Sequence, residues 1–576
     1  MRKVGIISKW VLLIMLFGLI GQKLSFSLEE KEFGEEITKR LTSEAVEEKM
    51  KASEEMVHLL LGSDKKFFAT AANLNTVFVM LKDEDQQVRD RALEVISHFI
   101  RANNSFTTEA NLNVLFTMRL DKDWQVRSEA LNTISTFIVS NESLATEVNL
   151  NVILTMLKDE NGQVKESALE AVSYFIGINK TFATEANLYL VLAKFADKDR
   201  QARFQALQVI SDFIKANKSL AREATFKPVL AMLEDRDWQV RYEALEAIPS
   251  FIEADKSLVT EANFNAVLVI LKDDHRLVKE SALSAIAYFI EINKAFATEA
   301  NLSLVLTMLK DKYEQVRSSV TVAVDSFIEA NRASFTQANL NSVLAMLEDK
   351  NWHVRDEALE AISHFLKANK SLATEANLKT ILTMLKDKDW KLRIPTLETI
   401  SCFIKADRTS FTPANFKIVL TMLEDEERGV KNSVLKAIPS FVEADKSFAT
   451  QSNLNIVLAM LKDKDREVKS ETLQVIPFFI EANKSLATEA NLKILFAMFK
   501  DEDGYIRSLA IQIITFFIEA DKSLATYLNL NTILVMLEDK DRQVRFQASK
   551  AIPYFIKANK ALGTNDVMNK IEEAKK

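Results

Sequence analysis

The chain has 576 residues, a formal net charge of −7 at pH 7 and a single cysteine, Cys402. One cysteine cannot form an internal disulfide, so packing alone must stabilise the fold. The acidic balance and the lack of a basic stripe argue against a nucleic-acid-binding surface and against adhesion to an anionic membrane.

The first 27 residues have the layout of a secretory signal peptide. Basic residues precede an apolar run from Trp10 to Ile20, and a small-residue exit follows at 25–27. The run is shorter than the about 20 residues that a membrane-spanning helix needs. We therefore predict that 1–27 is a cleaved signal peptide and that the mature protein is extracytoplasmic, either secreted or periplasmic. The alternative is a membrane anchor through residues 10–20.

Residues 28–72 begin acidic and become helical in pattern around Met56–Leu61. Their last residues, Phe67–Ala72, match the end of the repeating unit that follows. We interpret 28–72 as a degenerate first repeat, because a solenoid needs a cap over the core of its terminal layer.

From 73 to 566 the chain repeats every 38 residues without an insertion or deletion. A fixed period in this range indicates a stacked solenoid. Residues 567–576 are short and charged and are predicted to form a C-terminal capping helix. The thirteen copies begin at Asn73, Asn111, Asn149, Asn187, Thr225, Asn263, Asn301, Asn339, Asn377, Asn415, Asn453, Asn491 and Asn529.

The copy at 339–376 shows what each unit encodes. Its first apolar residues have the 3.6-residue spacing of one helical face, and Ser371 or Thr374 can cap the start of the next equivalent helix. Asp349 or Asn351 can cap a second, longer helix from about 352 to 367. Each unit is therefore a pair of amphipathic helices that bury their apolar faces only by stacking.

Three positions keep their chemistry in all thirteen copies: the phenylalanine at Phe365, the acid at Asp349 and the base at Arg355. The recurring phenylalanine predicts a core between layers. The acid and the base, six residues apart across the turn, predict a ladder that ties each turn to its neighbour.

The pattern L-x-D-x-x-x-x-V-R-x-x-A-x-x-x-I resembles the HEAT repeat, with armadillo repeats as near relatives. The resemblance covers roughly 73–566 and implies an all-α, right-handed α-solenoid superhelix. It also implies a binding scaffold, since most HEAT proteins are scaffolds with unrelated partners. The pattern is carried by Leu347, Asp349, Val354, Arg355, Ala358 and Ile362.

One candidate interface is an edge formed by the first residue of the second helix. Four repeats place tryptophan there and others place arginine, the residue types that dominate interface hot spots. The alternative is structural: each tryptophan covers its own turn and each arginine pairs with a nearby acid. The candidates on this edge are Trp124, Trp238, Trp352, Trp390, Arg428 and Arg466.

A second candidate is the position before the recurring phenylalanine, which is variable and rich in aromatic residues and histidine. The HEAT resemblance implies that the second helix lines the concave face, so this column could recognise a partner. The alternative is partial burial beside the phenylalanine. The candidates are His98, Tyr174, Tyr288, His364, Phe478 and Phe516.

The asparagine that begins twelve of the thirteen units is predicted to cap the first helix or to bond between repeats, and not to hold a peptide. Five scattered histidines have no metal-ligand spacing. No glycine-rich phosphate loop or nucleophile motif appears. We therefore predict no enzyme activity, no cofactor and no metal.

These features predict an exported, monomeric scaffold that binds a protein or peptide through its concave face or its Trp/Arg edge. No nucleic acid, and no membrane beyond the signal segment, is expected as a partner. The alternative is a structural spacer or envelope-associated component without a recognition site. A third possibility is an enzyme on a HEAT-like stack, as in bilin lyases.

Overall fold

The computed structural model describes residues 35–62, 65–409, 411–565 and 567–569. These residues are predominantly helical, and no β-strand occurs among them. None of their helices is both long and apolar enough to cross a membrane. The predicted signal peptide, 1–27, lies outside the described residues.

Each 38-residue unit contains one short and one long helix. Every long helix contains 17 residues, and the long helices carry the odd labels from α5 to α29. The short helices are α4 Ala71–Met80, α6 Glu109–Thr117, α8 Glu147–Met156, α10 Glu185–Leu192, α12 Glu223–Ala231, α14 Glu261–Val269, α16 Glu299–Leu306, α18 Gln337–Leu344, α20 Glu375–Leu382, α22 Pro413–Thr421, α24 Gln451–Ala459, α26 Glu489–Ala497 and α28 Tyr527–Val535. The long helices are α5 Gln86–Ala102, α7 Trp124–Ser140, α9 Gly162–Ile178, α11 Arg200–Ala216, α13 Trp238–Ala254, α15 Arg276–Ile292, α17 Glu314–Ala330, α19 Trp352–Ala368, α21 Trp390–Ala406, α23 Arg428–Ala444, α25 Arg466–Ala482, α27 Gly504–Ala520 and α29 Arg542–Ala558.

Before the first repeat, α1 is described over 35–40, followed by α2 Val46–Leu61 and α3 Lys65–Phe68. Helix α2 packs against α5, and Lys49 forms an ion pair with Asp83 in the first repeat. These contacts are those that a capping layer requires. At the other end Val567 is buried, whereas 570–576 lie outside the described residues. The boundaries of both caps stay predictions.

The sequence offered two alternative N-cap residues for each helix of the unit, and the copy at 339–376 shows which of them is used. Thr374 Oγ1 accepts the backbone N–H of Asn377 (3.3 Å), and Asn351 Oδ1 accepts that of His353 (3.1 Å). Ser371 instead donates its hydroxyl to Asn369 Oδ1 (2.7 Å) and supports the loop between repeats. The short helix α18 is followed by a tighter 3-10 turn over Ala345–Glu348.

The chain divides into two compact units within α15, the first ending at Ala285 and the second beginning at Ile286. Both units have the same core. The recurring phenylalanine is at most 1% exposed in every copy, as in Phe251 of the first unit and Phe365 of the second. The predicted phenylalanine core is therefore present in both.

The predicted acid–base ladder is also present, and it links successive repeats. Arg127 donates through Nε and Nη2 to the carboxylate of Asp159 (2.7 and 2.8 Å), 32 residues further on. Its Nη1 donates to the carbonyl oxygen of Asp121 in its own turn (2.9 Å). The rungs are Arg89–Asp121, Arg127–Asp159, Lys165–Asp197, Arg203–Asp235 and Arg241–Asp273 in the first unit, and Arg355–Asp387, Arg393–Asp425, Lys431–Asp463, Lys469–Asp501 and Arg507–Asp539 in the second.

Lysine preserves the rung where it replaces arginine. Lys165 Nζ lies 2.7 Å from Asp197 Oδ1. A lysine ammonium is a single point of charge, whereas the guanidinium fork binds a carboxylate and a carbonyl together. These repeats therefore retain the bond between turns, and the carbonyl bond within the turn is seen at the arginine rungs.

The asparagine that begins all units but the one at Thr225 makes local hydrogen bonds, as Asn111 shows. Asn111 Nδ2 donates to the carbonyl oxygen of Phe106 (2.8 Å), and its backbone N–H donates to Thr108 Oγ1 (3.2 Å). The side chain thus closes the loop that enters the short helix. Some copies also reach the preceding repeat: Asn339 Nδ2 lies 3.2 Å from the Glu299 carbonyl oxygen.

Candidate functional site

The four edge tryptophans all lie at the first position of a long helix, but they differ in exposure. Trp124 and Trp390 are 40% and 39% exposed. Trp238 stacks on His275 with ring centroids 3.6 Å apart, and Trp352 stacks on His353 at 3.7 Å. Two of the four therefore have an aromatic partner on the protein itself, and two present more of the indole to solvent.

The edge arginines pair with acids of the following repeat and stay exposed. Arg428 Nη1 lies 3.4 Å from Asp465 Oδ2, and Arg466 Nε lies 2.5 Å from Asp503 Oδ2. Exposed pairs of this kind contribute little to stability, typically about 0–1 kcal/mol. The guanidinium carbon of Arg466 also lies 5.2 Å from the ring centroid of Tyr505, a cation–π distance.

Glycine interrupts this edge in two repeats. A Cβ atom on Gly162 would overlap the carboxylate of Asp199, and one on Gly504 would overlap that of Asp541. The next repeat therefore approaches the helix start closely at these points. The Trp/Arg edge is consequently a set of separate stretches and not a continuous ribbon.

The column before the recurring phenylalanine is mostly half-buried. Five of the six candidates are partly accessible: His98, Tyr288, His364, Phe478 and Phe516. Tyr174 is 41% exposed. These residues keep one face on the core and present the other to solvent.

His364 lies in an acidic environment. Its Nδ1 is 2.7 Å from Asp325 Oδ1, and its hydrogen bond to Glu360 lowers the pKa of that carboxyl. Burial, reinforced by neighbouring carboxylates, raises the pKa values of Asp356 and Glu357 on the same helix. This part of the second unit therefore favours a cation over an anion.

Phe478 and Phe516 line one cleft between α25 and α27. It has a volume of about 410 Å³, and its apolar wall is completed by Pro477, Leu509 and Ile513. Gln474, Gln512 and Glu481 supply polar groups. The cleft thus exposes polar and apolar side chains in comparable amounts, and both kinds of group are found in binding pockets.

Tyr505 connects this cleft to the edge. It lines the cleft, and it also lines a neighbouring depression of about 380 Å³ together with Arg428 and Arg466. The structure therefore brings Phe478 and Phe516, from the column before the phenylalanine, close to two residues of the edge, Arg428 and Arg466.

The position of Tyr505 follows from helix geometry. Tyr505, Leu509, Gln512 and Phe516 are spaced by four, three and four residues, so they share one face of α27. Tyr505 is 47% exposed. The sequence analysis did not identify Tyr505, because it considered only tryptophan and arginine as interface residues on this edge. The helical spacing of Tyr505 from Phe516 could have indicated that the two share a face.

Comparison with known proteins extends these observations. Residues 188–462, just under half of the chain, match the family model for the PIK3R4-like middle domain. No curated protein matches the chain.

Solved structures similar to the chain include two of importin beta. The structure in a polyethylene glycol condition has 12% sequence identity and a TM-score of 0.58, covering 94% of this chain and 78% of that chain. The structure in an ammonium sulfate condition has 12% identity and a TM-score of 0.53, covering 93% and 76%. Kap95p, the yeast importin beta, in a structure concerned with RanGDP, has 14% identity and a TM-score of 0.52, covering 94% and 73%. At these identities the similarity is one of fold.

Proposed function

We propose that this chain, a HEAT-repeat α-solenoid, is a non-catalytic scaffold that binds a protein or peptide partner in the cleft between α25 and α27. One observation carries the proposal: Phe478, Phe516 and Tyr505 line the same cleft, and Tyr505 contacts the Arg466 guanidinium. Aromatic and arginine side chains provide most of the binding energy at protein interfaces.

The composition of the cleft suits a peptide. The apolar wall of Pro477, Leu509 and Phe516 can desolvate an inserted side chain. Gln474 and Gln512 each offer a donor and an acceptor for a peptide backbone. A volume of about 410 Å³ accommodates a small number of side chains and not a folded domain, so the cleft would act as an anchor within a larger contact.

Charge at the two ends of the cleft would orient the peptide. Arg428 and Arg466 lie at the end formed by the first turns of the helices, and Glu481 lies near the other end. Fifteen residues separate Arg466 from Glu481 on α25, which corresponds to roughly 22 Å along the helix axis. A bound segment would thus place acidic groups near the arginines and basic groups near Glu481.

Structural relatives support this class of function. Kap95p binds RanGDP, and a structure of Kap95 in complex with Nup1 is similar to this chain. These partners belong to those proteins. For this chain they support protein binding as a function of the fold, while the alternative of a spacer without a recognition site predicts no selective binding.

We also propose that the scaffold acts outside the cytoplasm, on the strength of the signal-like pattern of 1–27. N-terminal sequencing of protein from an extracytoplasmic fraction tests this. Recovery of Met1 there would contradict cleavage and favour the anchor through 10–20.

Peptide selection tests the binding proposal. Random peptides displayed on phage are selected on the immobilised protein, and enriched peptides are measured by fluorescence anisotropy. The double variant Phe478→Ala/Phe516→Ala should weaken binding by about tenfold or more, as loss of hot-spot residues does. Tyr554→Ala, in the same helix column outside the cleft, is the matched control. No enrichment, or equal binding by the double variant with an unchanged melting temperature, would support the spacer.

A further inference from the structure

A second accessible groove crosses the long helices of the first repeats, in the other compact unit. It consists of three adjoining clefts of about 650, 520 and 450 Å³, running from the end of α5 to α11. Arg101 and Ser140 line both the first and the second cleft, and Tyr174 lines both the second and the third. The three clefts are therefore one continuous surface.

Gly177 distinguishes this groove from the same region of the other repeats. No atom lies within 4 Å of the position that a Cβ on Gly177 would occupy, and the residue has no positive φ angle. Neither crowding nor backbone conformation therefore requires glycine at this point of a helix, where glycine costs about 1 kcal/mol relative to alanine. The equivalent residues in the other copies are Arg101, Val139, Lys215, Glu253, Glu291, Glu329, Lys367, Lys405, Glu443, Glu481, Glu519 and Lys557. Gly177 is exposed, and its missing side chain leaves a gap in this row of side chains, here called the notch.

The notch is largely apolar. Its lining includes Ile176, Ile178 and Ala216, and the ring of Tyr174 stands beside it. Val139, on the neighbouring helix, is exposed within the second cleft. Apolar side chains thus line the groove across two successive repeats.

Three cations surround this apolar floor: Arg101, Lys180 and Lys215. None of them forms an ion pair with a residue in the described parts of the chain. The groove carboxylates are engaged: Glu170 accepts from the Tyr174 hydroxyl at 3.2 Å, and Asp212 accepts from Ser173. These hydrogen bonds leave both carboxylates charged, so three cations against two carboxylates give the groove a small positive net charge.

We propose that this groove is a docking surface for an acidic, extended peptide segment that inserts one bulky apolar side chain into the notch at Gly177. The cations on the rim complement carboxylates on either side of that side chain. Packed helices lie about 8–10 Å apart, so four of them span roughly 25–30 Å, the length of about eight extended residues.

A peptide suits the groove better than a nucleic acid does. A phosphate backbone is bound by a stripe of cations that neutralises successive charges. Here three cations are interspersed with the carboxylates of Glu170 and Asp212 and with apolar side chains. A single side-chain-sized notch between cations is complementary to one hydrophobic residue within an acidic sequence.

The proposal is independent of the cleft between α25 and α27, because no residue is shared and the two surfaces lie in different compact units. Loss of binding at one surface therefore says nothing about the other.

Fluorescence anisotropy on the full chain tests the proposal with defined probes. The probe is a labelled octapeptide of glutamate and aspartate with one central phenylalanine. One control peptide has glycine in place of the phenylalanine, and another has lysine in place of every acid. The acidic phenylalanine peptide should bind at least about tenfold more tightly than either control, since both the apolar insertion and the charge contribute.

Two variants locate the site. Gly177→Leu fills the notch and improves helix propensity, so it should weaken binding by about tenfold or more without lowering the melting temperature. Lys215→Glu reverses a rim charge and should act in the same direction. Lys367→Glu, the same substitution in the same column of the other unit, is the matched control and should change binding less than about twofold.

The opposite results would overturn the proposal. Equal binding of the three peptides, or unchanged binding by Gly177→Leu, would show that the notch takes no side chain. Stronger competition by a single-stranded oligonucleotide than by the unlabelled acidic peptide would identify a polyanion site and not a peptide site.

Discussion

Asn369 Nδ2 donates a 2.9 Å hydrogen bond to the carbonyl oxygen of Phe335, which belongs to the preceding repeat. The same side chain accepts the backbone N–H and the hydroxyl of Ser371. One amide therefore ends a long helix, shapes the following loop and joins two repeats. Equivalent bonds run from Asn141 to Thr107, Asn217 to Ala183, Asn331 to Ala297, Asn483 to Ala449 and Asn559 to Ala525.

Replacement of this asparagine should be costly. Asn369→Ala leaves a partly buried carbonyl without its donor and removes the cap of the 3-10 turn, which should lower the free energy of unfolding by roughly 1–3 kcal/mol. Urea unfolding followed by circular dichroism measures the change. Ser371→Ala, which removes only the local hydroxyl bond, is the control and should cost less.

The recurring phenylalanine should be the most sensitive core position. Phe365→Ala removes a fully buried ring and should cost about 3–5 kcal/mol. Phe365→Leu retains most of the volume and should cost less. A loss below about 1 kcal/mol for the alanine variant would contradict the burial that the structure shows.

At one ladder position the arginine, Arg317, forms no ion pair with any described residue, so its replacement can be compared with that of an ion-paired arginine. Arg317 is 1% exposed and donates Nη1 to the Asp311 carbonyl oxygen at 2.8 Å, but within the described residues it has no carboxylate at ion-pair distance. Arg127→Met breaks a buried ion pair and strands Asp159, which should cost about 3–5 kcal/mol. Arg317→Met strands no carboxylate partner and should cost clearly less. Equal losses in urea unfolding would show that the interrepeat pair contributes nothing.

Stability should fall in acid through the ladder aspartates. The hydrogen bond from Arg507 lowers the pKa of Asp539 below its ordinary value of 3.8. A depressed native pKa stabilises the fold above the unfolded pKa, and this contribution is lost as the pH falls through the native pKa. Asp539→Asn should therefore lower the melting temperature at pH 7, and the gap from the wild type should narrow as the pH falls below 3.8. A gap independent of pH would contradict this assignment.

Substitution of the edge tryptophans can distinguish a role in partner binding from a role in packing. Trp390 is 39% exposed, whereas Trp352 is covered by His353 and lies near Lys391 Nζ, 5.1 Å from its ring centroid. Trp352→Ala should therefore lower the melting temperature more than Trp390→Ala. If the edge binds a partner, the double variant should lose affinity beyond the loss of folded protein. Normal binding by the remaining folded protein would restrict both residues to packing.

Much of the fold could be predicted from the sequence, because each pattern of the unit recurs in thirteen copies. The predicted second helix, 352–367, differs from the observed Trp352–Ala368 by one residue. The solenoid of HEAT-like helix pairs and its ladder follow from the recurrence of Phe365, Asp349 and Arg355. The choice between Asp349 and Asn351 as a cap depends on a side-chain direction, which spacing alone does not determine.

The candidate sites were less accessible, for a physical reason. A cleft exists where two neighbouring repeats leave space, and space depends on pairs of residues in different copies. Phe478 and Phe516 were identified, but Tyr505 was not, because its role depends on Arg466 in the preceding repeat. Gly177 was not identified for a similar reason. Its lack of a side chain matters only because Tyr174 and Ala216 line the same cleft, and the sequence does not show that proximity.

The ladder has a consequence for how the array can change length. Each rung joins the base of one copy to the acid of the next, and Lys49 supplies the same kind of partner to Asp83 at the start of the series. Excision or insertion of one complete 38-residue period preserves the 32-residue separation between a base and the acid of the following copy, as in Arg127–Asp159 and Arg355–Asp387. A deletion that is not a whole number of periods changes this separation. The register of the rungs is therefore compatible with changes of array length in whole periods.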